Sequence, residues 1–151
     1  MVVFIVGLGT IGEPLARLFL KAQKDLGIDE IIIHKNTPEL KYRGMLTRFN
    51  HYGAKLAVWQ EKEKDFKNLL KPAGFAPSYS FEEALSKAHV VIDCTKEKVG
   101  RELKEKYYKY FFHKNRFFLA QGSEKGFGKP YAYTVNDAAL VHENDRFVQI
   151  V

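Results

Sequence analysis

The stretch that most constrains the fold is Val2-Val3-Phe4-Ile5-Val6-Gly7-Leu8-Gly9-Thr10-Ile11-Gly12. Its five leading apolar residues, three of them valine, predict a strand buried on both faces of a parallel sheet. Glycines follow at once in the spacing G-x-G-x-x-G. After them Ile11, Leu15, Leu18, Phe19 and Ala22 recur at helical spacing and are expected to share one buried face. Pro14 is compatible with that helix, because the first turn has no intrahelical N–H bond to lose. Strand, glycine turn and helix form the context a dinucleotide fingerprint requires. In that reading Gly7 makes the tight turn, Gly9 lets the backbone approach a pyrophosphate, and Gly12 lets helix pack on strand. Free N–H groups at the helix start, with its partial positive charge, then hold the phosphates. The plainer alternative is a glycine-rich turn opening an ordinary βαβ unit.

The chain has 151 residues, 46% of them hydrophobic and 14% aromatic. That length suits one domain, residues 1–151, and that composition excludes disorder as the default. The longest apolar run is too short to cross a bilayer, and no charged-then-apolar leader precedes the first strand. Cys94 is the only cysteine, so an intrachain disulfide is impossible and a cytoplasmic setting is expected. A formal charge of +6 suits an anionic ligand. No aromatic–basic motif of a nucleic-acid module accompanies it, so neither nucleic acid nor membrane is an expected partner. No metal site is expected.

Lys21 to Gly27 closes the first helix, and Glu30-Ile31-Ile32-Ile33-His34 is the second buried strand. An NAD site usually carries Asp or Glu just after this strand to bind the ribose 2′-hydroxyl. Here the turn reads His34-Lys35-Asn36-Thr37-Pro38. A lysine and neutral donors accept a 2′-phosphate, and a charge-assisted bond of this kind contributes about 1.5–3 kcal/mol. NADP is therefore expected over NAD, with His34, Lys35 and Asn36 as contacts. A solvated turn that merely contains lysine is the plainer reading.

Further along, Pro38 to His51 is expected to be helical despite Gly44, Ala54 to Trp59 a third strand, and Lys62 to Leu70 a charged helix. Ser80 with Glu83 has the spacing of a capping box for a helix reaching about Lys87. His89 to Thr95 is another apolar strand. Its polar end lies where open α/β sheets place ligands, which makes Thr95 a candidate contact. Cys94 reads as a small packed cysteine, since no base or electropositive setting is evident to activate it. Lys96 to His113 is expected as one long helix with Val99, Leu103, Tyr107, Tyr110 and Phe111 inward. Arg116 to Ala120 is the next strand, with Gln121 and Gly122 at its carboxyl end. Residues 123–145 read as irregular, and Arg146 to Val151 as a final strand. The whole is a Rossmann-type α/β fold, a doubly wound and mostly parallel sheet with helices on both faces.

Several strings in this order resemble the archaeal type of glyceraldehyde-3-phosphate dehydrogenase. Gly7-Leu8-Gly9-Thr10-Ile11-Gly12 is similar to that family's nucleotide turn, in which the Thr-Ile pair sits at the pyrophosphate. His34-Lys35-Asn36-Thr37-Pro38 resembles its Thr-Lys-rich turn, whose lysine contacts the 2′-phosphate of NADP. Ala73-Gly74-Phe75, Val90-Val91-Ile92-Asp93 and Val99-Gly100 fall where the family has similar strings. Gln121-Gly122-Ser123-Glu124-Lys125 resembles a Gln-Gly-Gly-Glu-Lys segment near the nicotinamide. Val135-Asn136 and Arg146 to Val151 resemble the segment leading into the catalytic strand, and that strand itself. Lys96 departs from the pattern where a proline is common, and the stretch from Pro38 to Gly53 is a few residues longer.

The resemblance covers the chain but only the first half of the enzyme, up to the point where a Ser-Cys-Asn-Thr motif would begin. It implies a cofactor-binding half that takes NADP or NAD and is inactive alone, with the catalytic domain missing or on a separate chain. In the complete oligomeric enzyme a cysteine thiolate attacks the aldehyde, hydride passes to nicotinamide, and phosphate releases the acyl group. Cys94 does not match that cysteine, so no catalytic residue is assigned. Two alternatives remain open from the sequence: a stand-alone nucleotide-sensing regulatory domain, and the front half of a related semialdehyde dehydrogenase.

Overall fold

The computed structural model describes residues 1–112, 116–141 and 144–151. Eight strands form one sheet: β1 (Val2–Val6), β2 (Glu30–His34), β3 (Lys55–Val58), β4 (Tyr79–Ser80), β5 (Val90–Asp93), β6 (Phe117–Ala120), β7 (Lys129–Tyr131) and β8 (Phe147–Ile150). Their order is β4-β3-β2-β1-β5-β6-β8-β7, and every pairing is parallel. Strand order reverses at β1, which has β2 on one side and β5 on the other. That reversal opens a crevice at the carboxyl ends of the strands, where ligands of open α/β sheets bind.

The period-two alternation of the strands feeds two cores. Val3, Ile5, Ile31, Ile33, Leu56 and Val58 face α1 (Gly12–Lys21), α2 (Arg43–His51) and α3 (Glu63–Leu70), meeting Ala16, Leu46, Phe49, Phe66 and Leu70. Phe4, Val6, Ile32, Ala57, Val91 and Phe118 face the other way, against Phe81, Ala84 and Leu85 of α4 (Phe81–Lys87) and Leu103 of α5 (Val99–Lys106). Each such large side chain, fully buried, contributes about 1.5–3 kcal/mol. Helices thus cover both faces, and the fold class expected from the sequence is the one found. None of the described helices is long and apolar enough to cross a membrane.

The expected capping box is present. Ser80 Oγ accepts from Glu83 N–H at 3.2 Å, and Glu83 Oε2 accepts from Ser80 N–H at 2.7 Å. Several other expectations need correction. Leu18 and Ile11 are exposed, because α1 begins only at Gly12 and turns Ala16, with Leu15 and Phe19, to the sheet. The long helix expected from Lys96 to His113 runs only from Val99 to Lys106. Tyr107 leaves helical geometry and a single 3-10 turn, Tyr108–Tyr110, follows. The break turns Tyr108 into the core and leaves Tyr110 exposed, while Val99, at the first position of α5, is exposed as well; His113 lies outside the described residues. Within 123–145 the chain is not wholly irregular, since Lys129–Tyr131 adds β7 beside β8. Pro130 is tolerated there because β7 is an edge strand.

Candidate functional site

The glycine turn leaves β1 at the switch point. Gly7 has φ +90°, and a Cβ there would crowd Thr95 at 3.0 Å. A Cβ at Gly12 would stand 2.0 Å from the Gly7 carbonyl oxygen and 3.2 Å from Cys94 Cβ. These two glycines let the turn fold flat against the end of β5. Gly9 is different, for a Cβ there would meet nothing within 4 Å. The turn is therefore closed on its protein side and open at its middle glycine, the position through which a pyrophosphate approaches backbone. No side chain caps the start of α1 at Ile11. Within its first turn Glu13 N–H donates to the Gly9 carbonyl at 3.0 Å and Pro14 has no N–H, so Gly12 N–H is the donor left for an anion at the helix start; Thr10 and Ile11 are both exposed there.

Lys35 and Asn36 follow β2 along the same rim. Lys35 Nζ donates to the Leu8 carbonyl at 3.0 Å and lies 3.5 Å from the centroid of the Tyr42 ring. The lysine therefore bridges the two turns on either side of the crevice. Asn36 Oδ1 accepts from Trp59 Nε1 at 2.9 Å and from Lys62 Nζ at 3.1 Å, and its carbonyl accepts from Lys62 Nζ at 2.9 Å. Trp59 is itself stacked on Phe81 at 4.1 Å between centroids.

His34 is placed otherwise than expected. Only 3% exposed, it sits among the rings of Phe4, Trp59 and Phe81 with neither ring nitrogen bonded. The alternation of β2 puts it on the Ile32 side of the sheet, away from the turn. Burial, reinforced by the positive charges of Lys62 and Lys35, drives its pKa down to about 3. A neutral, enclosed imidazole gives no hydrogen bond to a phosphate in this arrangement.

On the other side of the crevice, Asp93 is fully buried at the end of β5. Its Oδ1 accepts from Thr95 N–H at 2.9 Å and from Thr95 Oγ1 at 2.5 Å, and its Oδ2 from the Tyr108 hydroxyl at 2.5 Å. Burial raises the Asp93 pKa, and the bonds from Thr95 and Tyr108 draw it part of the way back. Glu124, also buried, accepts from Arg101 N–H at 3.1 Å at the start of α5. Gly100 is the seam between these carboxylates, since a Cβ there would lie 3.0 Å from Asp93 Oδ1 and 3.2 Å from Glu124 Cγ. Gln121 Nε2 reaches the Thr95 carbonyl at 3.2 Å, and Gln149 Nε2 the Gly122 carbonyl at 3.0 Å. Cys94 is buried, and burial followed by the Asp93 charge pushes its thiol up to about 12. It is a packing residue, not an activated nucleophile.

The structure thus brings Gly7, Gly9, Thr10, Ile11, Gly12, Lys35, Asn36, Thr95, Gln121 and Gly122 to the carboxyl edge of the sheet and takes His34 inside. Sequence reasoning missed Lys62 and Trp59, which meet Asn36 only through the pairing of β2 with β3. It also missed Tyr108 and Glu124, which fix the Asp93 corner. A partly open groove of about 340 Å³ lies elsewhere, between α1 and α2, with Leu20, Met45 and Phe49 rimmed by Arg17, Lys21 and Arg48. The described residues hold no cluster of His, Cys, Asp or Glu suited to a metal ion.

A parallel sheet with a switch point at β1, a glycine turn over it and helices on both faces define a Rossmann-type α/β domain. Within that class the chain is similar to archaeal glyceraldehyde-3-phosphate dehydrogenases. It is 32% identical over 121 residues to the enzyme of Pyrobaculum neutrophilum, covering 80% of this chain and 31% of that protein. With the enzyme of Archaeoglobus fulgidus it shares 32% identity over 123 residues, 82% of this chain and 32% of the relative. The Pyrobaculum islandicum enzyme is 30% identical over 121 residues. The resemblance drawn from the sequence therefore holds, and the chain spans about a third of the length of these relatives. No protein-family profile matches it.

Proposed function

We propose that these 151 residues are the nicotinamide-dinucleotide-binding part of an enzyme of the glyceraldehyde-3-phosphate dehydrogenase type, with NADP as the preferred cofactor. The observation that carries the reading is the glycine turn, closed by Gly7 and Gly12 and open at Gly9, in a chain similar to those enzymes. The residues fit the cofactor: an open backbone cradle for the pyrophosphate, an uncapped helix start, and Lys35 beside it, in a turn whose nearby carboxylate, Glu39, is engaged by Lys41. When bound, the cofactor supplies the hydride-accepting ring. The protein residues bind and orient it. Gly9, Thr10, Ile11 and Gly12 receive the pyrophosphate, Lys35 and Asn36 the adenosine ribose end, and Thr95, Gln121 and Gly122 the nicotinamide side. Cys94 is buried with its thiol pushed up to about 12, so it is no activated thiolate, and in this reading oxidation of an aldehyde uses a catalytic part outside these residues. The exposed Tyr133, Val135, Val141, Ile150 and Val151 supply apolar surface for such a part to cover.

Calorimetric titration with NADP and NAD tests the proposal. Tighter binding of NADP, reduced roughly tenfold or more by Lys35→Ala as expected for loss of a charge-assisted bond, supports it. Failure to bind either dinucleotide overturns it.

A further inference from the structure

We propose that Lys62 is a second specificity-determining residue, its ammonium binding the 2′-phosphate of NADP opposite Lys35. The inference rests on the reading of the carboxyl edge as a dinucleotide site and adds a residue to it. Lys62 closes the 3-10 turn Gln60–Lys62 after β3, 26 residues from Asn36. The β2–β3 pairing, with His34 opposite Ala57, carries the end of one strand to the end of the other. There the ammonium donates to two oxygens of Asn36, its carbonyl and its Oδ1, at 2.9 and 3.1 Å. An ammonium has three N–H donors, so one remains for a ligand.

The other bonds of Asn36 strengthen the case. Trp59 Nε1 shares Asn36 Oδ1 with Lys62, which fixes the amide with its oxygen toward the protein. The amide NH2 has no protein partner among the described residues. Lys62 and Trp59 thereby act as positioning residues for Asn36, and the turn offers two free donor groups at one place.

Charge makes the same point independently. Lys62 is half-buried, and neither it nor Lys35 forms an ion pair among the described residues, although carboxylates flank Lys62 in sequence. Glu63 pairs with Lys67 at 2.6 Å instead, and Glu39 with Lys41 at 2.7 Å. Both lysines also act electrostatically on the same imidazole, that of His34. A phosphate dianion at the turn would be attracted by both ammonium groups, while the nearby carboxylate of Glu39 is engaged by Lys41. A purely structural contact to a carbonyl and an amide oxygen would need no charge.

The test compares NADP and NAD affinity of the wild-type chain with Lys62→Ala and Lys62→Arg, with melting temperature as a check on folding. The proposal expects Lys62→Ala to weaken NADP binding by about tenfold or more while leaving NAD binding within about twofold. Lys62→Arg keeps the charge and should retain NADP preference. Equal loss of both dinucleotides on Lys62→Ala would assign Lys62 to holding the turn only, and would overturn the proposal. So would unchanged NADP affinity, or a wild-type chain that binds NAD and NADP alike; the dinucleotide site itself would stand in those cases. Wild-type protein that binds neither would remove both.

Discussion

His34 shows how much a single residue can differ from its neighbours in sequence. Lys35 and Asn36 face the crevice, while His34, one position earlier, is sealed among Phe4, Trp59 and Phe81 with both nitrogens unbonded. Its pKa falls from an ordinary 6.5 to about 3. Between those values the unfolded chain binds a proton that the folded chain refuses, so stability rises with pH across the window and is lost as pH falls below 6.5. The slope for one group is about 1.4 kcal/mol per pH unit. Asp93 and Glu124, whose burial raises their pKa values, act in the opposite sense. Their folded forms hold protons longer than the unfolded chain does, so they lose stability as pH rises above the ordinary carboxylate range. The difference between wild type and His34→Leu isolates the histidine. We expect the variant to lose less stability than wild type between pH 6.5 and pH 4, as read by urea denaturation at each pH. Parallel stability profiles would show that the imidazole is protonated in the folded state.

At the scale of the element, the glycine turn offers a way to separate folding from the proposed binding. Gly12 packs against the Gly7 carbonyl at a distance that no Cβ can occupy, while Gly9 faces open space and is not one of the positive-φ glycines. Gly12→Ala should therefore destabilise the fold by more than about 2 kcal/mol, since backbone must shift to admit the methyl. Gly9→Ala should leave stability within about 1 kcal/mol and weaken dinucleotide binding, because its Cβ enters the space the pyrophosphate requires. Thermal denaturation and titration of the two variants check this pair; a Gly9→Ala protein with wild-type affinity would place the ligand away from the turn. The same element shows why some of the site was legible and some was not. The glycines and Lys35 lie in short contiguous strings next to strands whose unbroken apolar runs reveal burial on both faces. Lys62 reaches Asn36 only through strand pairing, which no local pattern encodes. β7 and β4 are short edge strands defined by their neighbours more than by their own residues, and Pro130 argues against a strand until the edge position is known. The end of α5 escaped notice because Tyr107, Tyr108, Tyr110 and Phe111 offer aromatic residues to either of two helical registers. The bond from Tyr108 to buried Asp93 is a tertiary contact that decides between them. The inward position of His34, by contrast, was available from the alternation it shares with Ile32.

At the scale of the whole molecule, the location of the turn would tie the proposed dinucleotide binding to global stability. β1 is a central strand, flanked by β2 and β5, and both cores pack against it through Val3 and Ile5 on one face and Phe4 and Val6 on the other. A turn at its end cannot keep its geometry once the sheet opens, so a dinucleotide held there binds the folded chain and not the unfolded one. Binding of that kind stabilises by mass action, by about 2.7 kcal/mol at a free ligand concentration 100 times the dissociation constant. For a chain of this length each kcal/mol moves the melting temperature by roughly 2–4 °C. Saturating NADP should therefore raise it by about 5–10 °C, with NAD at the same concentration giving a smaller rise. The same preparation should show no phosphate-dependent oxidation of glyceraldehyde 3-phosphate, because its one cysteine is buried with a thiol held near 12. A melting temperature indifferent to both dinucleotides would leave the glycines as a structural turn. A large shift accompanied by turnover would place a nucleophile within these residues and contradict the division of labour proposed here.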